Sequence, residues 1–255
     1  MESSVNRSST VSADRLFIVT ALALLALCLA PVPSPAQGPP APERPLSGSP
    51  PDREQRARPA PDTIVERLQA TYQRMRTYRT AFTQETSSSV LHADRTSSGK
   101  IMFKKPGRMR WTYESPRTQE VFLLPERIYV YLPDEHQVMT ASPGDYLSGI
   151  TPTKFLMGMG NLREDFTVWL IDEEKGKGPS SYRLRLTPKE SGSQIKSIDL
   201  WVRAKDFVIE ATESIDFMGN RTLVRFSSQE INPDLPDSLF SFEIPKDAEV
   251  IDNAL

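Results

Sequence analysis

The chain is short of the residues that most chemistry needs. Among 255 residues it has one cysteine, Cys28, and two histidines, His92 and His136. So few thiols exclude a disulfide framework, and neither histidine stands in an H-E-x-x-H or other metal-ligating spacing. No G-x-S-x-G elbow marks a serine nucleophile, and no G-x-x-x-x-G-K loop marks a phosphate cradle. The acidic pairs Asp134-Glu135 and Glu173-Glu174 read as solvated loops, not as an acid and base flanking a glycosidic bond. The expectation is a protein that is not an enzyme, with no cofactor and no metal. An excess of one charge is missing too. The 31 Lys and Arg stand against 33 Asp and Glu, a net charge of −2, which argues against nucleic acid as a partner.

Long apolar runs are also scarce. One begins after Arg15 and spans Leu16 to Ala30 without a charge, then gives way to Ser34-Pro35-Ala36. Such a run falls short of the ~20 residues of a spanning helix and reads as an export leader, residues 1–36, cleaved after Ala36. Cleavage removes Cys28, so the exported chain relies on its core for stability. The alternatives are an uncleaved anchor, or a lipid-modified Cys28, against which Leu27 stands where bacterial lipoprotein signals carry Gly, Ala or Ser. Residues 37–61 are rich in Pro, Arg, Glu, Ser and Gly and read as an extended, disordered tether. One domain, 62–255, remains, long enough to bury a sizeable core.

That domain opens on a helix. Thr63 and Glu66 form a T-x-x-E capping box, and Ile64, Leu68, Tyr72 and Met75 recur on one face. After Tyr78 the period changes to two. Ala81 to Thr86 begins a strand, Ser97-Ser98-Gly99 reads as a turn, and Ile101 and Phe103 alternate into the next strand. Pro106-Gly107, Glu114-Ser115-Pro116 and Pro125-Glu126 then punctuate short antiparallel strands. Met109, Trp111 and Tyr113 share the apolar face of one of them; Arg108, Arg110, Thr112 and Glu114 share the wet one. Further strands are read at 166–170, 182–187, 195–202, 207–214 and 222–227, and a last one through Phe240, Phe242 and Ile244. Ten or eleven strands with few helices predict a mainly β domain of the α+β class, one strongly curved antiparallel sheet forming an unclosed half-barrel. Between the two strand blocks, Thr151 to Gly160 reads as a short amphipathic helix carrying Phe155, Leu156, Met157 and Met159. It is either a core plug or a movable lid over the concave apolar face, methionine suiting a surface that repacks around variable apolar ligands.

Several motifs recur in a familiar order: Phe82-Thr83-Gln84, Lys105-Pro106, the aromatic strand from Trp111 to Pro116, Tyr131-Leu132-Pro133 through Gln137-Val138, Leu186-Thr187-Pro188-Lys189, and the terminal F-x-F-x-x-P from Phe240 to Pro245. In this the chain resembles the periplasmic lipoprotein carrier family LolA, over nearly the whole domain. The resemblance implies a half-open barrel closed by helices around a hydrophobic cavity for the acyl chains of lipoproteins. It implies a periplasmic, Gram-negative setting and no covalent chemistry. The partners it implies are acylated lipoproteins, an ATP-driven inner-membrane release complex and an outer-membrane receptor; a monomer is expected. Carried over by position, the family's lid-locking arginine corresponds to Lys105, and its cavity-facing aromatic positions to Met109 and Trp111, which Tyr113 continues. Alternation adds Ile101 and Phe103. Lys105 is thus either a lid contact or one more exposed lysine beside Lys100, Lys104, Arg108 and Arg110. Two other roles on the same fold stay open, a membrane-tethered lipoprotein receptor and an envelope lipoprotein sensor.

Overall fold

A helix followed by two antiparallel meanders, joined where the first strand of one pairs with the last strand of the other, organises the protein. The computed structural model describes residues 59–89, 93–143, 161–171, 180–189 and 193–252. Helix α1, Pro61–Arg74, leads into β1, Thr77–Ser88, and β2, Ala93–Lys104. Strands β3, Arg108–Ser115, β4, Gln119–Leu123, β5, Ile128–Leu132, and β6, Gln137–Ala141, complete the first block. The one-turn helix α2, Leu162–Asp165, opens the second block: β7, Phe166–Ile171, β8, Ser181–Pro188, β9, Ile195–Arg203, β10, Ile209–Asp216, and β11, Arg221–Ile231. A final strand, β12, Glu249–Asp252, lies parallel to β6, so the sheet is not wholly antiparallel. The strands form one unclosed sheet in the order β12-β6-β5-β4-β3-β2-β1-β11-β10-β9-β8-β7. Among the described residues there are twelve strands, against the ten or eleven read from the sequence. Among the described residues no helix is long and apolar enough to cross a membrane.

The inner face stacks in tiers, because register carries every second side chain across the pleat to its neighbour. Tyr78, Phe103, Met109, Leu123 and Ile128 form one tier; Thr80, Ile101, Trp111, Val121 and Val130 form the next. Helix α1 covers this face with Ile64, Val65, Leu68 and Tyr72, each at most 1% exposed. Its cap differs from the sequence reading. Pro61, assigned to the tether, begins the helix after Ala60, and no side chain caps it. Proline suits this position because the first helical N–H has no partner to lose. Thr63 is therefore already inside the helix, and Glu66 pairs with Arg163 of α2 at 3.0 Å instead.

Three further expectations are corrected. Ser97-Ser98-Gly99 is not a turn but lies within β2, at an irregularity in its pairing with β3. Phe207 precedes β10 and adopts φ +58° in the tight turn after β9, so that strand starts at Ile209. The F-x-F segment is not a strand. A 3-10 turn at Asp237–Phe240 follows Pro236, and Phe242 packs on the convex face against Phe122, Tyr129 and Tyr131, with ring centroids 4.8–5.8 Å apart.

This C-terminal strap also covers the face of β3 read as wet. Lys104 and Arg108 reach Asp237 at 2.6 and 2.9 Å. Arg110 pairs with Glu120 at 2.9 Å and lies over the Phe122 ring. Further along, Thr140 and Arg127 hydrogen-bond Asp252. Hydrogen bonds from Lys104 and Arg108 hold the Asp237 carboxyl below the ordinary carboxylate value, and Thr140, then Arg127, do the same for Asp252. A carboxyl with a depressed folded-state pKa stabilises above its unfolded value and loses that contribution as pH falls. Relative to the intrinsic rate at each pH, amide exchange in β12 is thus expected to quicken below about pH 4, before exchange in β1 and β2. Simultaneous acceleration in all three strands would contradict this.

Elsewhere on the convex face, Asp199 is 2% exposed and accepts hydrogen bonds from Arg185 and Arg183 at 2.7–2.9 Å. Burial works to raise its carboxyl, but the two guanidiniums outweigh it and hold the group below its ordinary value.

Candidate functional site

The inner face of the sheet and the apolar face of α1 belong to one hydrophobic cluster. Of the predicted floor residues, Ile101 and Phe103 are 2% exposed, Met109 0% and Tyr113 7%, while Trp111 is partly buried against the same cluster. All five point to one side, since each is two positions from the next along β2 or β3 and the strands are in register, Ile101 opposite Trp111 and Phe103 opposite Met109. The predicted lid residues Phe155, Leu156, Met157 and Met159 lie outside the described residues.

Aromatic rings stiffen this floor. Phe82 meets Trp111 and Tyr113 edge-on at 5.2 Å each, and Trp111 stacks on Tyr113 at 6.0 Å. The geometry depends on Gly99, which sits between Phe82 and Tyr113 in the strand register. With no side chain on β2 at that level, the Phe82 ring reaches across it. Burial pushes the Tyr113 hydroxyl pKa up, so it stays protonated and donates to Gln84 Oε1 at 3.1 Å.

Lys105 sits at the rim. Its ammonium donates to the backbone carbonyls of Tyr72 at 2.6 Å and Gln73 at 3.1 Å, in the last turn of α1. Those carbonyls lack intrahelical partners and carry the negative end of the helix dipole, so a cation there is favourable. Partial burial lowers the lysine's pKa. The neighbouring basic side chains are engaged differently: Lys100 with Glu114 at 2.6 Å, Lys104 and Arg108 with Asp237, and Arg110 with Glu120. Helix α1 is fixed further along by Thr71 Oγ1, which donates to the Asp206 carbonyl, and by the Tyr72 hydroxyl, which accepts from Ile209 N–H.

The burial of three glutamines was not read from the sequence, although two of them stand in its motifs. Gln84, Gln119 and Gln137, on β1, β4 and β6, are 3%, 8% and 7% exposed. Gln119 lies opposite Tyr113 and Gln137 opposite Leu132, on the core side of the sheet beyond the apolar tiers. A glutamine at a strand end ordinarily reads as a solvated residue; only a fixed register reveals these as inward-facing. No group of three or more His, Cys, Asp or Glu residues suited to a metal ion occurs among the described residues.

An open sheet whose apolar inner face shares one core with a helix, itself tied at both ends, defines a class of carriers for greasy ligands. Residues 73–243 match the family described as "Outer membrane lipoprotein carrier protein LolA". An outer-membrane lipoprotein carrier protein of Ralstonia nicotianae is 33% identical over 192 residues, covering 73% of this chain and 86% of that protein. A second, from Cupriavidus pinatubonensis, is 35% identical over 159 residues, covering 61% and 70%. Among solved structures, an uncharacterized conserved protein from Thermus thermophilus shares the fold with a TM-score of 0.51 at 10% identity, covering 75% of this chain and 98% of that one. The chain belongs to the LolA family of outer membrane lipoprotein carrier proteins.

Proposed function

We propose that this protein is a periplasmic carrier that shields the acyl chains of lipoproteins on the inner face of its half-barrel. It takes cargo from an ATP-driven inner-membrane release complex and passes it to an outer-membrane receptor. The observation that carries this reading is the inner floor, Ile101, Phe103, Met109, Trp111 and Tyr113, in one cluster with a helix whose last turn is held by Lys105, the Asp206 carbonyl and the Ile209 N–H. Phe155, Leu156, Met157 and Met159 are proposed to add a second, methionine-rich cover. An export leader at residues 1–36 and a proline-rich tether after it would carry the domain, about residues 61–255, beyond the inner membrane.

The energies suit a reversible carrier. Moving one long acyl chain through water costs on the order of 10 kcal/mol at ~0.8 kcal/mol per CH₂. Ile64, Val65, Leu68 and Tyr72 hide apolar surface worth roughly 1.5–3 kcal/mol each when buried. Cargo and helix therefore compete for one floor at comparable strength, and neither need be held irreversibly.

If α1 closes the empty carrier, weakening its latch favours the loaded state. Lys105→Leu is therefore expected to slow cargo transfer roughly tenfold, the scale of a partly exposed charged hydrogen bond, while the midpoint of thermal unfolding falls by no more than about 5 °C. Transfer kinetics checks this; unchanged transfer with a lowered midpoint would reduce Lys105 to a stability contact.

The test of the function itself is recovery of the protein from the periplasm under mild conditions. A triacylated lipoprotein should co-purify and pass to outer-membrane vesicles bearing the receptor. No bound lipoprotein, and none gained from membranes with the release complex active, would overturn the proposal.

A further inference from the structure

Two buried donors on the inner face have no acceptor among the described residues. Trp111 Nε1 and Gln119 Nε2 are buried and have no hydrogen-bond partner among the described residues. The other two such atoms, Arg110 Nε and Arg163 Nε, belong to guanidiniums that are anchored through their remaining nitrogens. Nothing comparable holds the indole, which can only donate, or the Gln119 amide, whose residue is 8% exposed. Buried polar groups are nearly always paired, so an unpaired one calls for an explanation.

Their location supplies one. Trp111 lies in the second apolar tier, and Gln119 lies in the next level, opposite Tyr113. At this level the floor turns polar: the Tyr113 hydroxyl meets Gln84, and Gln137 meets Glu249 at 3.1 Å. Tyr113, Gln84 and Gln137 thus have partners within the protein; Gln119 Nε2 has none among the described residues. The inner face thus runs from fully apolar at Phe103 and Met109 to a collar with spare donors, a polarity gradient that matches a lipid from its chain to its linkage region.

We propose that Trp111 Nε1 and the Gln119 amide receive carbonyl oxygens at the junction between the acyl chains and the modified cysteine of a lipoprotein. This rests on the carrier function above and adds to it which part of the lipid the collar recognises. Acyl chains are bound for their length on the apolar tiers; the collar fixes how deep they go. Two kinds of carbonyl are present in such a lipid, the glyceryl esters and the N-terminal amide, and both accept hydrogen bonds.

The test uses the mature protein and three synthetic lipopeptides: a triacylated form, the same molecule with ether-linked glyceryl chains, and a form with ester chains and a free amine. Gln119→Leu preserves bulk and deletes the donor, and Trp111→Phe deletes the indole N–H. The wild type is expected to bind the triacylated peptide about tenfold more tightly than does Gln119→Leu, the scale of one buried hydrogen bond. It should lose a similar factor toward the ether or the free-amine form, whichever lacks the recognised carbonyl. Gln119→Leu should show no further loss on that ligand and should unfold no lower than wild type, since it removes an unpaired group. Equal binding of all three peptides by wild type and both variants would overturn the collar and leave the carrier intact. Binding of none of them by the wild type would overturn both.

Discussion

Trp111→Glu is expected to lower lipoprotein loading at least 100-fold while the sheet remains folded. The side chain sits in the second tier of the floor, opposite Ile101 and Val121, and packs on Phe82 and Tyr113. A carboxylate there would face methylene groups with no cation within the tier, and an unpaired charge against hydrocarbon is among the most costly contacts a site can present. The residue is only partly buried in the empty protein, so the charge can turn toward water until cargo arrives. Loading from membranes measures the effect, with circular dichroism as the check on folding. Loading at the wild-type rate would show that this face is ordinary core.

Gly99→Ala should act on the fold instead. A Cβ built at Gly99 would stand 1.9 Å from the backbone oxygen of Thr112 and 2.9 Å from Cε1 of Phe82. The first neighbour is main chain and cannot swing aside, so β2 and β3 must separate or Phe82 must leave its ring contacts. A cost of about 3 kcal/mol follows from such overpacking, equivalent to a fall of roughly 10 °C in the unfolding midpoint for a domain of this size. A shift of under about 2 °C would mean that the irregularity after Ser98 relaxes freely. The unfolding transition of the single variant decides between them.

Gly99 also marks where sequence reading stopped. Between serines and a lysine it has the look of a hairpin turn, and the reason for glycine there, a ring from β1 crossing β2, is a contact set by pairing. The faces of α1, β2 and β3 were legible because periodicity alone separates Ile64, Leu68 and Tyr72, or Met109, Trp111 and Tyr113, from their polar neighbours. The C-terminal strap was not. Phe240, Phe242 and Ile244 alternate as a strand would, but Pro236 and Pro245 bracket them, and the aromatic rings that receive Phe242 lie more than a hundred residues earlier. The same distance hides Asp237 from Lys104 and Arg108, two side chains that the sequence places on a wet face and the C-terminal strap meets. Lys105 differs from both in how it was found. The position was singled out through the family resemblance, and the structure places its ammonium on two α1 carbonyls.

The central claim is that acyl chains lie on the floor that α1 covers in this structure, and Trp111 can report on it directly. The chain has three tryptophans; Trp169 is 59% exposed and Trp201 packs under Arg183 on the convex face. With Trp169→Phe and Trp201→Phe in place, Trp111 is the only indole left. A lipopeptide brominated along its acyl chains should quench that fluorescence on binding, while the unbrominated peptide should not. Full binding of the brominated peptide with no quenching would place the chains elsewhere and contradict the account.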